Sequence, residues 1–170
     1  MKKIILSFIL ISIFLINGCG LYNLSNFILP DDSEFLYLIE ELDTPEKIGN
    51  YMAENFIYEF HDLYALDPYE LYKLGKGDCN EFAIFGTFIA NYHGYTTYQL
   101  GIFYKDLKHR IAIYEEDNHY SITDNQYYYT DFGTFRDIVE FDNALRDNYN
   151  WTKYIIYDYD MNIIETIYNK

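Results

Sequence analysis

Residues 77–94 read GDCNEFAIFGTFIANYHG, and the fold is decided in this stretch. Residues 79–93 suit a helix that Gly94 closes. Phe82, Phe85 and Ile89 form an apolar face, while Ala83, Gly86, Thr87 and Ala90 form a second stripe of small residues at i, i+3, i+4 and i+7. A helix that is apolar or small nearly all round belongs in a core, and a stripe without bulk lets another element approach closely. Cys79 stands at the start of this helix, directly after the turn Gly75-Lys76-Gly77-Asp78. Unpaired N–H groups and the helix dipole favour a negative charge there, and the thiolate is the nucleophilic form of cysteine. Taken alone, a cysteine in this place fits an inert core residue as well.

After Gly94 the periodicity changes. Residues 96–104, 109–115 and 119–124 are rich in β-branched and aromatic side chains with loose alternation, and Asp106-Leu107-Lys108 and Glu116-Asp117-Asn118 are short connections. The pattern predicts a three-strand antiparallel meander. His109 heads the second strand and Asp124 ends the third. In an antiparallel pair the end of one strand lies beside the start of its neighbour, so pairing alone brings these two side chains together. A histidine can take the thiol proton, and an acid beside it can fix the imidazole tautomer.

Upstream, residues 34–42 predict a short helix with Phe35, Leu38 and Ile39 on one face, after the turn cluster Pro30-Asp31-Asp32-Ser33. Thr44 as N-cap and Pro45 at the first helical position open the next helix, along which Ile48, Met52, Phe56 and Phe60 recur at helical spacing. Asp67-Pro68-Tyr69-Glu70 repeats that logic as a capping box, and the helix it opens ends near Gly75. Downstream, residues 135–145 read as a helical or loop segment, and residues 151–157 and 163–168 as a terminal hairpin. Helices first and strands later argue for an α+β domain.

In order and spacing, Gly77-Asp78-Cys79-Asn80-Glu81-Phe82-Ala83, a helix to Gly94-Tyr95, a strand, His109 heading a strand and Tyr120-Ser121-Ile122-Thr123-Asp124-Asn125 resemble the transglutaminase-like superfamily over about residues 45–130. That resemblance implies a papain-like α+β core, with the nucleophile helix packed on an antiparallel β-sheet. It also implies Cys79 as nucleophile, His109 as general base and Asp124 as orienting acid; no cofactor and no metal are expected. The chain departs from many relatives after the histidine, where Arg110, Ile111 and Ala112 stand in place of an aromatic, often Trp. The Cys79 backbone N–H is one natural oxyanion donor. Tyr58 is the candidate for the other, against its reading as a packing residue. The implied chemistry is acyl transfer or hydrolysis at an amide of a peptide or protein, by a transglutaminase-like enzyme or cysteine peptidase.

The first residues read MKKIILSFILISIFLINGCG. Lys2 and Lys3 precede an apolar run over residues 4–16, of signal-peptide length and short for a membrane span. Gly18-Cys19 then resembles the lipobox of bacterial lipoproteins, with Asn17 a less usual middle residue. This divides the chain into a signal peptide at 1–18, a lipidated Cys19 with tether and lead-in helix at 19–44, and a transglutaminase-like domain at 45–170. It expects an exported protein, lipid-anchored on the cell membrane or outer membrane. Only two cysteines are present, so a lipidated Cys19 leaves Cys79 without a disulfide partner.

The formal net charge is −15, and loss of Lys2 and Lys3 with a leader makes it more negative. Such a chain repels nucleic-acid phosphates. Aromatics make up 21% of the residues, and the matching richness in Ile, Asn and Lys reads as compositional bias rather than an aromatic binding site. His119 with Asp131 is a rival base–acid pair, and His61 and His93 read as surface or helix-end residues. Cys79, His109 and Asp124 are all zinc-ligating types but lack ligand spacing. Asp158-Tyr159-Asp160-Met161-Asn162 mimics the start of a calcium loop, yet Ile163 and Asn169 fall where Gly and an acid belong. Two other readings stand beside the enzyme: an inactive binding module of the cell envelope on the same fold, and a structural lipoprotein whose triad is accidental. The last requires Cys79 and His109 to lie far apart.

Overall fold

The computed structural model describes Leu24 and residues 27–60, 64–147 and 149–169. The signal-peptide and lipidation readings at residues 1–18 and Cys19 lie outside the described residues, as does His61. None of the described helices is long and apolar enough to cross a membrane.

The helices begin where side chains satisfy their free N–H groups. Asp32 accepts from the Glu34 and Phe35 amides and opens α1 (Ser33–Glu41), and Thr44 accepts from Lys47 and opens α2 (Pro45–Asn55). β1 (Ile57–Tyr58) follows. The Asp67/Glu70 capping box opens α3 (Pro68–Leu74). After β2 (Lys76–Gly77), a second capping box of Asp78 and Glu81 opens α4 (Cys79–Tyr92). Then come β3 (Thr96–Phe103), β4 (Lys108–Glu116), β5 (His119–Asp124), β6 (Tyr127–Phe132), α5 (Phe135–Leu145), β7 (Lys153–Tyr157) and β8 (Ile163–Tyr168).

The main sheet has six strands, all neighbours antiparallel, in the order β6-β5-β4-β3-β7-β8. The expected meander of β3, β4 and β5 is present and β6 extends it. The expected terminal hairpin joins the sheet through β7, with Gly101 opposite Ile155. Alternation along each strand sorts the core into two layers. Ala112 and Tyr114 of β4 pack with Phe82, Phe85 and Ile89 of α4, with Ile48 and Met52 of α2 and with Phe35 and Ile39 of α1. Ile111 and Ile113 of the same strand face the other way, where Ile138 and Val139 of α5 cover Leu100, Ile102 and Ile122. Each such fully buried side chain stabilises the fold by roughly 1.5–3 kcal/mol relative to exposure. The lead-in is part of this packing: Phe27 meets Phe88 edge-on with ring centroids 5.0 Å apart.

In one place the helical spacing overreaches. Ile48, Met52, Phe56 and Phe60 predict a helix through residue 60, but α2 stops at Asn55 and Phe56 is extended (φ −111°, ψ 147°). The chain leaves the helix to pair β1 in parallel with β2. The Phe56 carbonyl accepts from the Gln126 side-chain amide in the β5–β6 turn, which also reaches the Met52 carbonyl at 3.3 Å. Phe56 stays in the core, stacked on Phe82, while Phe60 is exposed.

Candidate active site

Cys79 is the first residue of α4 and is placed by the turn before it. The Asp78 side chain accepts from the Asn80 amide at 2.8 Å. Glu81, buried, accepts from the Asp78 amide at 2.7 Å and from the Leu66 amide at 3.3 Å. One carboxylate therefore ties the start of the helix to the loop that leads into α3. At Gly77 a Cβ would come within 2.8 Å of Leu71 and 2.9 Å of Glu81, so the turn has no room for a side chain. Cys79 itself is a free thiol and 9% exposed.

His109 and Asp124 come from neighbouring strands. The register pairs Ile111 with Asp124, and His109, two residues along β4, shares the face of Ile111. The His109 Nε2 lies 2.7 Å from Asp124 Oδ1, and both side chains are buried. The Cys79 thiol is a further hydrogen-bond partner of the His109 ring. Cys79, His109 and Asp124, far apart in sequence, thus meet at one point. The reading that required Cys79 and His109 to be distant fails on this contact.

The electrostatics follow from the burial and the partners. Burial alone would push the imidazole down, but the hydrogen bonds to Asp124 and Cys79 and the charges of Asp124 and Asp142 outweigh it and carry the His109 pKa up to about 9. Burial would push the Asp124 carboxyl up, but the His109 hydrogen bond and charge, with the Arg146 charge, hold it below the ordinary carboxylate range.

The other candidates fall elsewhere. His119 starts β5, at the far end of that strand from Asp124; it is partly exposed, and its nearest acid is Glu116 at 3.9 Å. His93 caps the end of α4, its Nε2 2.8 Å from the Ile39 carbonyl oxygen. Tyr58 is 49% exposed and packs a tilted ring on Phe82. Partial burial and the charges of Cys79 and Asp78 raise its phenol pKa.

Asp142 of α5 was absent from the sequence reading. It is fully buried, with Oδ1 3.7 Å from His109 Nε2. The Tyr104 hydroxyl donates to it, and the Arg146 Nε donates to both its oxygens at 3.1 and 3.2 Å. His109, Asp124 and Asp142 could approach one cation. Their donor atoms are engaged, however: Nε2 with Asp124, and both Asp142 oxygens with Tyr104 and Arg146. The cluster is accounted for as a hydrogen-bond network.

The architecture matches solved structures of LapG from Legionella pneumophila. One is 17% identical, covers 72% of each chain and has a TM-score of 0.50. A calcium-bound form gives the same figures. An EGTA-treated form is 16% identical over 74% of each chain with a TM-score of 0.51. The fold is transglutaminase-like. The expected α+β class, with the nucleophile helix packed on an antiparallel sheet, is what the chain adopts. At such identity the likeness speaks for the fold alone. No protein-family description and no curated protein sequence matches the chain.

The two pKa shifts set a pH window for stability. The His109 pKa is raised above the unfolded value of about 6.5, so its contribution is complete below that value and lost as pH rises through about 9. The Asp124 pKa is lowered, so its contribution is present above about 3.9 and lost as pH falls through the folded value. Counting the pair once, stability is expected to hold between about pH 5 and 6.5 and to fall by roughly 3 kcal/mol toward pH 9.5, at about 1.4 kcal/mol per pKa unit. Chemical denaturation against pH checks this beside His109→Gln. A wild-type profile as flat as the variant's from pH 6 to 9.5 would contradict it.

Proposed function

We propose that this chain is an exported, lipid-anchored cysteine enzyme that hydrolyses or transfers acyl groups at amide bonds of a peptide or protein, with Cys79 as nucleophile, His109 as acid–base and Asp124 as orienter. The observation that carries it is the buried His109 imidazole held between the Cys79 thiol and the Asp124 carboxylate. The transglutaminase-like fold and the resemblance around Cys79 support the same reading. The anchor rests on the leader and on Gly18-Cys19.

With Nε2 engaged by Asp124, Nδ1 is the nitrogen left to face the thiol and the leaving group. The raised imidazole pKa favours the imidazolium at neutral pH, which puts a positive charge and a proton donor beside the nucleophile. The thiolate sulfur attacks the amide carbonyl carbon, and the oxyanion that forms is aimed at donors around the α4 N-terminus. His109 gives its proton to the departing nitrogen, and ammonia or an amine leaves a thioester on Cys79. Neutral His109 then takes a proton from water, the hydroxide attacks the thioester, and the acid and the thiolate are released. An amine in place of water gives transfer instead of hydrolysis.

The test is the alkylation rate of Cys79 against pH in a chain carrying Cys19→Ser, with His109→Ala beside it. Fast alkylation at pH 6 that is lost in His109→Ala is expected, since the thiolate would be held by that imidazolium. A rate that climbs only around pH 8.5, where ordinary thiols ionise, and ignores His109 would sink the enzyme reading and leave a binding module.

A further inference from the structure

Two carboxylates, not one, stand at the His109 imidazole, and they come from different elements. Asp124 is on β5 at 2.7 Å from Nε2, and Asp142 is on α5 at 3.7 Å from the same atom. Asp142 is fixed on every side. The Tyr104 hydroxyl, at the end of β3, donates to Oδ2, and Arg146, one turn further along α5, spans both oxygens. A fully buried carboxylate costs several kcal/mol unless paired, so a purely structural helix would place an apolar residue here. Resting on the reading of Cys79, His109 and Asp124 as a triad, we propose that Asp142 is its positioning residue, holding the His109 ring from α5 and supplying a second negative charge to the imidazolium, with Arg146 setting how much of that charge the ring feels.

The charge balance gives this content. Around the ring stand the Cys79 thiol from α4, Asp124 from β5, and Asp142 with Arg146 behind it from α5, while Tyr104 closes the β3 side. On β4 itself the neighbours of His109 turn away: Lys108 lies over the Phe103 ring, and Arg110 bonds Gln99 and covers Tyr157. Arg146 pairs with the Asp142 carboxylate at 3.1 Å, and the imidazole pairs with Asp124 at 2.7 Å. Removing Asp142 leaves Arg146 free to compete for Asp124 and favours the neutral ring. Removing Arg146 exposes the ring to the full charge of Asp142. The two changes therefore act on His109 in opposite directions, which loosening of α5 would not do.

The experiment is NMR titration of the ring-labelled histidines in the full chain carrying Cys19→Ser, comparing the parent with Asp142→Asn and Arg146→Gln. Asp142→Asn is expected to lower the His109 titration midpoint by about one pH unit or more, a charge some 4 Å away being worth that much even when well screened. Arg146→Gln is expected to raise it. On an amide substrate, Asp142→Asn should then lower kcat about tenfold or more above pH 7 with KM little changed. Midpoints that do not move, or that move the same way in both variants, would overturn the proposal. If Asp142→Asn does not fold, Arg146→Gln decides alone: a rise supports the proposal, and no change or a fall refutes it. The titration needs no substrate, so a chain that hydrolyses nothing would fail the proposed function and leave this result standing.

Discussion

Cys79→Ala is expected to reduce amide turnover to background, and His109→Ala to reduce it by at least about 10³-fold, with neither variant unfolding the domain. The size follows from how the groups act together. A nucleophile and its base work as a unit, so removing either costs nearly as much as removing both, and the residue left over comes from binding and oxyanion donors. The double variant should therefore lose hardly more than either single one. The fold should survive, because Cys79 is a small side chain at a helix start whose caps are Asp78 and Glu81, not itself. His109→Ala removes a buried ring and leaves Asp124 without its closest partner, so a loss of stability of roughly 2–4 kcal/mol is expected beside the kinetic effect. Initial rates and thermal midpoints on the same samples separate the two. Turnover that persists in folded Cys79→Ala would remove the chemistry from this site.

Much of this was legible because local signals and the global arrangement agree. Thr44-Pro45 and Asp67-Pro68 with Glu70 mark helix starts by chemistry that does not depend on the rest of the chain, and both helices begin there. The closeness of His109 and Asp124 needed only a hairpin between them, and the β4–β5 register supplies it. What stayed hidden depends on partners distant in sequence. Phe60 kept the helical period, yet the chain turned extended at Phe56 to pair with Lys76 and Gly77, a pairing that no local pattern announces. β6 gives no local signal because Tyr127-Tyr128-Tyr129-Thr130-Asp131-Phe132 lies at the sheet edge, only partly covered, and shows no clean alternation. Asp142 carries a signal in the sequence itself. It lies one turn from Ile138, on the apolar side of an amphipathic helix, with Arg146 a turn beyond. A charged pair on a buried face asks for a partner on the sheet, and the partner is the site.

Gly86→Ala is expected to cost roughly 2–4 kcal/mol, the largest stability loss from a single added methyl group in the core. The stripe of small residues on α4 exists because β4 and β5 press against it. A Cβ at Gly86 would sit 2.3 Å from the Tyr114 hydroxyl, 3.2 Å from Thr123 Oγ1 and 3.4 Å from the Ala112 Cβ. The tightest of these neighbours cannot swing aside. Tyr114 is fully buried, and its hydroxyl is bonded to Thr123 Oγ1 at 2.7 Å. Either the helix lifts off the sheet or that bond breaks with both hydroxyls still buried. Overpacking costs typically 1–3 kcal/mol, and a buried hydroxyl left without a partner about 1–3 more. Against this, alanine gains only about 1 kcal/mol over glycine in a helix interior, so the sign is settled by the clash. Tyr114→Phe removes the offending oxygen and, made together with Gly86→Ala, should restore part of the loss, so that the double variant is more stable than the two single losses added together. Chemical denaturation of the four proteins measures this coupling. Strict additivity would mean that α4 and β4 do not meet at Gly86 and Tyr114, and the close packing that delivers Cys79 to His109 would then need another explanation.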